Sequence, residues 1–370
     1  MVAKYYYDAD YDSDQEYIFD VLSESAIRIN LPIVLAASGP RLKYFYNILK
    51  ENRQKFFLLA VSSAVLPLIH AGIYPDAVIS TDGGFWAKEH LQIIEKTSSR
   101  KNIPVFATAE GAFYSQLLEN SSIIPLTYGD APEKILYDIC KIKTAPALRN
   151  GTVSGTAAIL ALNLSSSNIF CIGLDLSSSK GFQHSQPNQQ EIRNGVNDFR
   201  LSPLENRCAA STFHSASLEL YKNWFIAQSE KLKNRIFRVF PTEMPYNFNL
   251  GSICNLNENE FEQALNKNFS NLGEPKTIQF EKQKLPSQTE RKNLLINYFN
   301  KLIEETSQIF NNKETLDKVP ENIEIWYKSF VLTEFANAKH NKNPMTQEMY
   351  SKIIENIEDL ILIAEKYEPE

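Results

Sequence analysis

Short loops in this chain carry the residue types that could do chemistry. In G-I-Y-P-D-A-V-I-S-T-D-G-G-F-W, Gly72 to Trp86, a glycine stop and a proline turn lead into the apolar run Ala77–Ile79, which delivers Asp82 onto a glycine pair. An open α/β sheet binds ligands outside the carboxyl ends of its strands, so Asp82 reads as a ligand residue. It equally suits the N-cap of a helix starting near Phe85. In R-N-G-T-V-S-G-T-A-A-I-L-A-L-N-L, Arg149 to Leu164, Thr152, Ser154, Gly155 and Thr156 can offer N–H and O–H donors to a phosphate or carboxylate, or can simply cap an Ala-rich helix. In I-F-C-I-G-L-D-L-S-S-S-K-G-F-Q-H-S-Q a buried-type strand ends at Gly173 and Asp175, and a polar loop follows with His184. An imidazole there is placed for proton transfer or phosphate contact.

A further turn, Ser38-Gly39-Pro40 after L-P-I-V-L-A-A, joins a strand to a helix with proline suited to the first helical position. Backbone N–H groups and the positive helix end then face whatever lies above, and a phosphate is the natural occupant. Neither G-x-G-x-x-G nor a Walker loop is present, so a nicotinamide dehydrogenase and a P-loop kinase are unsupported.

These loops need a scaffold, and the pattern supplies one. Strand-like runs at Ile33–Ala37, Phe56–Val61, Ala77–Ser80, Val105–Thr108, Ile123–Leu126, Ile169–Gly173 and Ile236–Phe240 alternate with helical patterns near 41–53, 63–71, 85–97, 111–119, 131–141, 153–164 and 211–233. The alternation predicts a doubly wound, mostly parallel α/β sheet covered on both faces. Beyond Gly251 strands give way to helices. Apolar faces at Leu294, Leu295, Tyr298, Phe299, Leu302 and Ile303, at Ile323, Trp326, Tyr327, Phe330 and Val331, and at Tyr350, Ile353, Ile354, Ile357, Leu360 and Ile361 predict a helical domain. Its stripes serve as a bundle core or as a docking face for a partner or second subunit. The expected division is an N-terminal arm at 1–30, an α/β domain at 31–250, a linker at 251–285 and a helical domain at 286–370.

With 370 residues, 43% hydrophobic, 22% charged and a formal charge of −6, the chain is of ordinary soluble composition and gives no electrostatic reason to bind nucleic acid. Cys140, Cys171, Cys208 and Cys254 lie too far apart for a zinc framework or a disulfide scaffold. The start, M-V-A-K-Y-Y-Y-D-A-D, is acidic and aromatic where an export signal is basic and then apolar, and no apolar run is long enough to span a bilayer. A cytoplasmic location is expected. The tyrosines and acids of residues 5–20 read as a lead-in arm or a docking strip.

Together, G-P-R-L after the first strand, G-I-Y-P-D-A-V-I-S-T-D, S-G-T-A-A-I-L-A-L-N-L and I-G-L-D-L with its following histidine resemble the central domain of the motility-accessory-factor (Maf) proteins. Those bacterial proteins are implicated in adding nonulosonic acids, such as pseudaminic or legionaminic acid, to flagellin. The family includes 6-hydroxymethylpterin diphosphokinases (MptE-like) and is similar to bacterial sialyltransferases that use CMP-sugars. Over roughly residues 30–250 the resemblance implies a Rossmann-like fold of the GT-A-like sialyltransferase type. It places Ser38, Gly39 and Pro40 on the nucleotide turn, Ser62 or Ser63 and Asp82 near donor-contacting positions, Ser154 and Gly155 toward the sugar carboxylate, His184 near the departing phosphate, and His214 as a base. The chain begins shortly before the first motif, as a shortened member or a fragment would.

The activity so implied is inverting transfer of the acidic sugar from a CMP-linked donor to Ser or Thr of flagellin. General-base help from His214 or His184 would contribute about 10²- to 10⁴-fold. No cofactor or metal is implied, since side chains and helix ends neutralise the leaving phosphate in sialyltransferases of this type. Two alternatives stand beside it. One is a pterin diphosphokinase using ATP and Mg²⁺ held by Asp76, Asp82 and Asp175; the other is a non-catalytic flagellin-binding protein. Association into a homo-oligomer would run through the C-terminal helices.

Overall fold

The structure, a computed structural model, describes residues 18–20, 29–97, 103–113, 123–129, 132–149, 151–176, 184–202, 216–272, 281–283 and 285–366. Two compact units emerge from the chain, and both are discontinuous. The larger is Val21–Leu126 with Ala147–Phe280; the smaller gathers Met1–Asp20, Thr127–Pro146 and Glu281–Glu370.

The larger unit is organised by a parallel sheet. Its strands are β1 (Ile33–Ala36), β2 (Phe57–Val61), β3 (Ala77–Ser80), β4 (Val105–Thr108), β5 (Ile123–Thr127), β6 (Ile169–Ile172), β7 (Ile236–Val239) and β8 (Cys254–Leu256), paired in the order β8-β7-β6-β1-β2-β3-β4-β5. Every neighbouring pair among them is parallel. Strands β1 to β6 are buried along their whole described length, as residues covered on both faces must be, and this explains their unbroken apolar runs.

The helices that position the site are α1 (Phe85–Thr97), α2 (Val153–Leu164), α3 (Gln189–Asn194), α4 (Ala216–Leu232) and α5 (Glu258–Ser270). Helix α2 packs on β1, β2, β3 and β6, with Ala157, Ala158 and Ala161 buried where close approach to the sheet requires small side chains. A helix linking two parallel strands runs back against them, so its N-terminus lies at the carboxyl edge of the sheet. The order reverses direction between β1 and β6, and the crevice outside their carboxyl ends is the general ligand position of such folds.

The doubly wound sheet and the helical C-terminal region follow the sequence expectation; the segment between them does not. Residues 251–285, expected as a linker, instead supply β8 and α5. Helix α5 opens with a capping box in which Asn257 and Glu260 satisfy each other's backbone N–H groups, and it buries Phe261 and Leu265. An Asn- and Lys-rich surface concealed that amphipathic pattern.

In the smaller unit, Ile18–Asp20 pairs antiparallel with Glu281–Gln283, and the helices are Glu133–Ile139, α6 (Gln288–Asn311), α7 (Glu321–His340) and α8 (Gln347–Lys366). The expected apolar faces form its core: Leu295, Phe299, Leu302, Ile323, Trp326, Tyr327, Val331, Ile353 and Ile357 are buried. Polar partners fix their rotation. Trp326 Nε1 donates to Tyr298 Oη at 2.7 Å, and Tyr327 Oη donates to Thr306 Oγ1 at 3.1 Å. Among the described residues no helix is long and apolar enough to cross a membrane.

Candidate functional site

Two neighbourhoods lie on the carboxyl edge of the sheet, and the crevice at the reversal point is the first. Gly39 N–H donates to Gly173 O at 2.8 Å, which brings the turns after β1 and β6 into backbone contact. A Cβ on Gly39 would lie 2.5 Å from Gly173 O and from Asp175 Cγ. Gly173 itself has φ +65°, the left-handed region glycine enters without strain. Into this contact Asp175 turns inward, 2% exposed. Its Oδ2 accepts the Arg41 N–H at 3.0 Å and its Oδ1 the Tyr246 hydroxyl at 3.2 Å, with the Arg41 guanidinium at 3.7 Å.

Behind Asp175 lies Arg238 of β7, fully buried. It donates to Leu174 O at 2.9 Å, Asp175 O at 3.0 Å and Phe248 O at 3.2 Å, and its guanidinium lies 3.2 Å from the centre of the Tyr246 ring. Burial pushes the Asp175 carboxyl up, against Arg41, Arg238 and Tyr246, and pushes the Arg238 guanidinium down to about 10, against Tyr246 and Asp175 and helped by Arg41. The Asp175 carboxylate thus meets the helix-start N–H that follows Pro40. Asp175, expected among the ligand residues, serves here as an internal anion holding β1, β6 and β7 together.

In the second neighbourhood Asp82 and His184 both act on His90. Asp82 is exposed in the turn after β3, where its Oδ1 accepts the Gly84 N–H at 3.0 Å, so it does part of the capping work while remaining accessible. Its partner side chains come from α1 and from the segment 184–194. The His90 and His184 rings stand 6.4 Å apart at 56°, with His90 only 8% exposed. His184 Nδ1 is buried and has no hydrogen-bond partner among the described residues, as is true of Ser80 Oγ at the end of β3 and of Asn188 Nδ2. Buried polar atoms in that condition are uncommon and point to function or to an unseen partner.

Burial lowers both imidazoles. His90 is lowered to about 4, chiefly by burial and then by His184, with Asp82 and Glu89 pulling it up. His184 is lowered by burial, against the attraction of Glu191. The segment 184–194 is held in place by several contacts. Ser185 N–H donates to Ser38 O at 2.7 Å, Ser185 Oγ lies 3.2 Å from Tyr46 Oη, and Arg193 meets the buried Glu89 at 2.7 Å and the Phe85 ring at 5.2 Å.

The remaining expected residues distribute as follows. Ser38 borders the site through its carbonyl, while Gly39 packs against the Asp175 contact and Pro40 opens the 3-10 helix that follows. Ser62 is buried and Ser63 half-buried in the 3-10 turn Ser62–Ala64, which packs on α1. Thr152, Ser154 and Gly155 begin α2 on the same sheet edge, with Gly155 buried; Thr156 Oγ1 turns back to Leu148 O at 3.0 Å. Beside them Arg149 makes a two-pronged ion pair with Glu110, at 3.0 and 3.1 Å, joining the loop after β4 to the approach to α2. His214 lies outside the described residues.

Asp76 requires a correction as a metal partner of Asp82. It precedes β3, where Oδ2 accepts the Leu58 N–H at 2.7 Å and Oδ1 pairs with Arg53 at 2.6 Å. The two carboxylates therefore sit at opposite ends of one strand, roughly 20 Å apart at about 3.3 Å per residue, and one ion cannot take both. Sequence reading missed His90, Glu89 and Arg193. The available signal was a histidine eight positions after Asp82 within a helix that opens at the ligand edge; a lone histidine in an amphipathic pattern reads as core.

Comparison with known proteins bears on this geometry. Residues 12–181 match the family model described as 6-hydroxymethylpterin diphosphokinase MptE-like. The match covers a little under half of the chain. The matched stretch takes in Ser38, Asp82 and His90 but stops just short of His184. An uncharacterised protein of Treponema pallidum (strain Nichols) is 33% identical over 188 residues, 51% of this chain and 41% of the relative. Among solved structures, the MAf glycosyltransferase from Magnetospirillum magneticum AMB-1 is similar with a TM-score of 0.50 at 12% identity, over 98% of this chain and 58% of that one. The likeness is one of fold, and the chain spans less than two thirds of the length of either relative.

Proposed function

We propose that this chain is a glycosyltransferase of the Maf type, moving a sugar from a nucleotide-linked donor to an acceptor hydroxyl at the Asp82–His184 edge of the sheet. The carrying observation is that His184 is brought beside the Asp82–His90 turn and helix from a distant chain segment at the carboxyl edge, with buried polar atoms left unpartnered there. The fold shared with a MAf glycosyltransferase supports the same reading. Helix starts at this edge favour an anionic donor. In the finer form of the reading the donor is a CMP-linked nonulosonic acid and the acceptor is Ser or Thr of flagellin. His184, or His214, then removes the acceptor proton, with inversion at the anomeric carbon.

A second reading, ATP- and Mg²⁺-dependent pyrophosphoryl transfer to a pterin hydroxymethyl group, is favoured by the MptE-like match itself. In that case Asp82 would contribute to the metal site without Asp76. Calorimetric titration decides between them. CMP binding without metal supports the glycosyltransferase, ATP binding that requires Mg²⁺ supports the kinase, and binding of neither sinks both in favour of a flagellin-binding protein without catalysis.

A further inference from the structure

The Ser38-Gly39-Pro40 turn has the outward form of a phosphate cradle, a strand end running into a helix start at the reversal crevice. Its donors, however, are already engaged by the chain itself. The Gly39 N–H goes to Gly173 O at 2.8 Å, Pro40 has none, the Arg41 N–H goes to Asp175 Oδ2 at 3.0 Å and the Leu42 N–H to Gly39 O at 3.0 Å. Space is filled as well. Even a single added carbon on Gly39 would stand 2.5 Å from Gly173 O and from Asp175 Cγ, so a phosphate does not fit between the turn and that carboxylate. The segment 241–250 is tied to the same residues: Arg41 Nε donates to Met244 O at 2.7 Å and its Nη2 to Pro245 O at 3.1 Å, Tyr44 Oη to Met244 Sδ at 2.9 Å, and Tyr246 Oη to Asp175 Oδ1 at 3.2 Å.

We propose that Asp175 is a built-in occupant of the anion position at this turn, a carboxylate carried by the chain that closes the turn to the phosphate of a nucleotide. Its two oxygens take a helix-start N–H and a hydroxyl, the contacts an oxyanion would take, with the Arg41 guanidinium at 3.7 Å and Arg238 bound to its backbone carbonyl. Two buried guanidinium groups thus gather about one buried carboxylate, and without it their charge would want another anion. The inference goes beyond the transfer reaction proposed above and does not depend on it. Its consequence is that a nucleotide donor places its phosphate away from Ser38, Gly39 and Pro40.

The test is chemical rescue. Asp175→Ala removes the carboxylate and leaves beside Arg41 a space the size of formate, and melting is followed by differential scanning calorimetry in formate and in chloride of equal ionic strength. About 0.1 M formate is expected to raise the melting temperature of Asp175→Ala by about 3 °C, that of the wild type by less than about 1 °C, and that of the double variant Arg41→Gln, Asp175→Ala by less than about half as much as the single one. Absence of rescue in Asp175→Ala, a wild type raised as far as the variant, or equal rescue without Arg41 overturns the proposal. Should Asp175→Ala not fold, amide hydrogen exchange on the wild type decides. The Gly39 and Arg41 amides are expected to exchange slowly and at rates that added inorganic phosphate leaves unchanged; fast exchange, or slowing by phosphate, would show an open turn.

Discussion

The His90 imidazole couples the stability of the fold to pH in a direction that can be worked out. An unfolded histidine titrates near 6.5, whereas burial beside His184 holds the folded ring at about 4. Between those values the unfolded chain binds more protons, so stability falls as pH falls, and the deficit is complete below about pH 4. The expected loss from pH 7 to 4.5 is about 2–3 kcal/mol for this group. Urea unfolding at the two pH values should show His90→Gln losing correspondingly less than the wild type; equal losses would mean that the ring is not held neutral. Asp82 belongs to the same scale. Asp82→Asn keeps the oxygen that accepts the Gly84 N–H, so it should abolish transfer or metal-dependent turnover while changing the melting temperature little. A fall in melting temperature matching the loss of activity would return Asp82 to a capping role.

Among the elements, β1, β6 and β7 are tied by the Asp175 contact as well as by their parallel ladders. Removing a buried partner from such a set leaves uncompensated charge, here on Arg41 and on Arg238 behind it, and costs about 3–5 kcal/mol. Asp175→Ala is therefore expected to lower the melting temperature by about 10 °C, read by differential scanning calorimetry. An unchanged value would mean that the crevice readily accepts water. The strands were legible in the sequence because residues buried on both faces leave continuous apolar runs, and all seven expected runs lie within one residue of the observed bounds at each end. What was not legible depends on distance along the chain. Arg238 inside I-F-R-V-F and Tyr246 find Asp175 only across sixty residues or more, and no local pattern records such a pairing. Likewise His90 gained its meaning from His184, which reaches it through the turn at Ser185 and the Arg193–Glu89 pair.

For the molecule as a whole, the domain plan read from composition differs from the one observed. Composition shifted at Gly251, but packing divides the chain at Asp20, Leu126, Pro146 and Phe280. Helix Glu133–Ile139 packs on α6, and its Tyr137 is 1% exposed. Truncation after Phe280 would strip that cover, so the shortened chain is expected to aggregate on size-exclusion chromatography. A monodisperse product would show that the smaller unit contributes nothing to the integrity of the rest. The difference has a physical origin: a short helix inserted between two strand-like segments looks like one more crossover, and periodicity does not reveal which core receives its apolar face.

That three-piece construction also sets a timetable for synthesis. Ribosomes deliver the amino end first, so Glu133–Ile139 emerges long before α6, the helix that will cover it. Throughout that interval the nascent chain carries an apolar surface that α6 later shields, and a chaperone binding there would be released by the arrival of that helix.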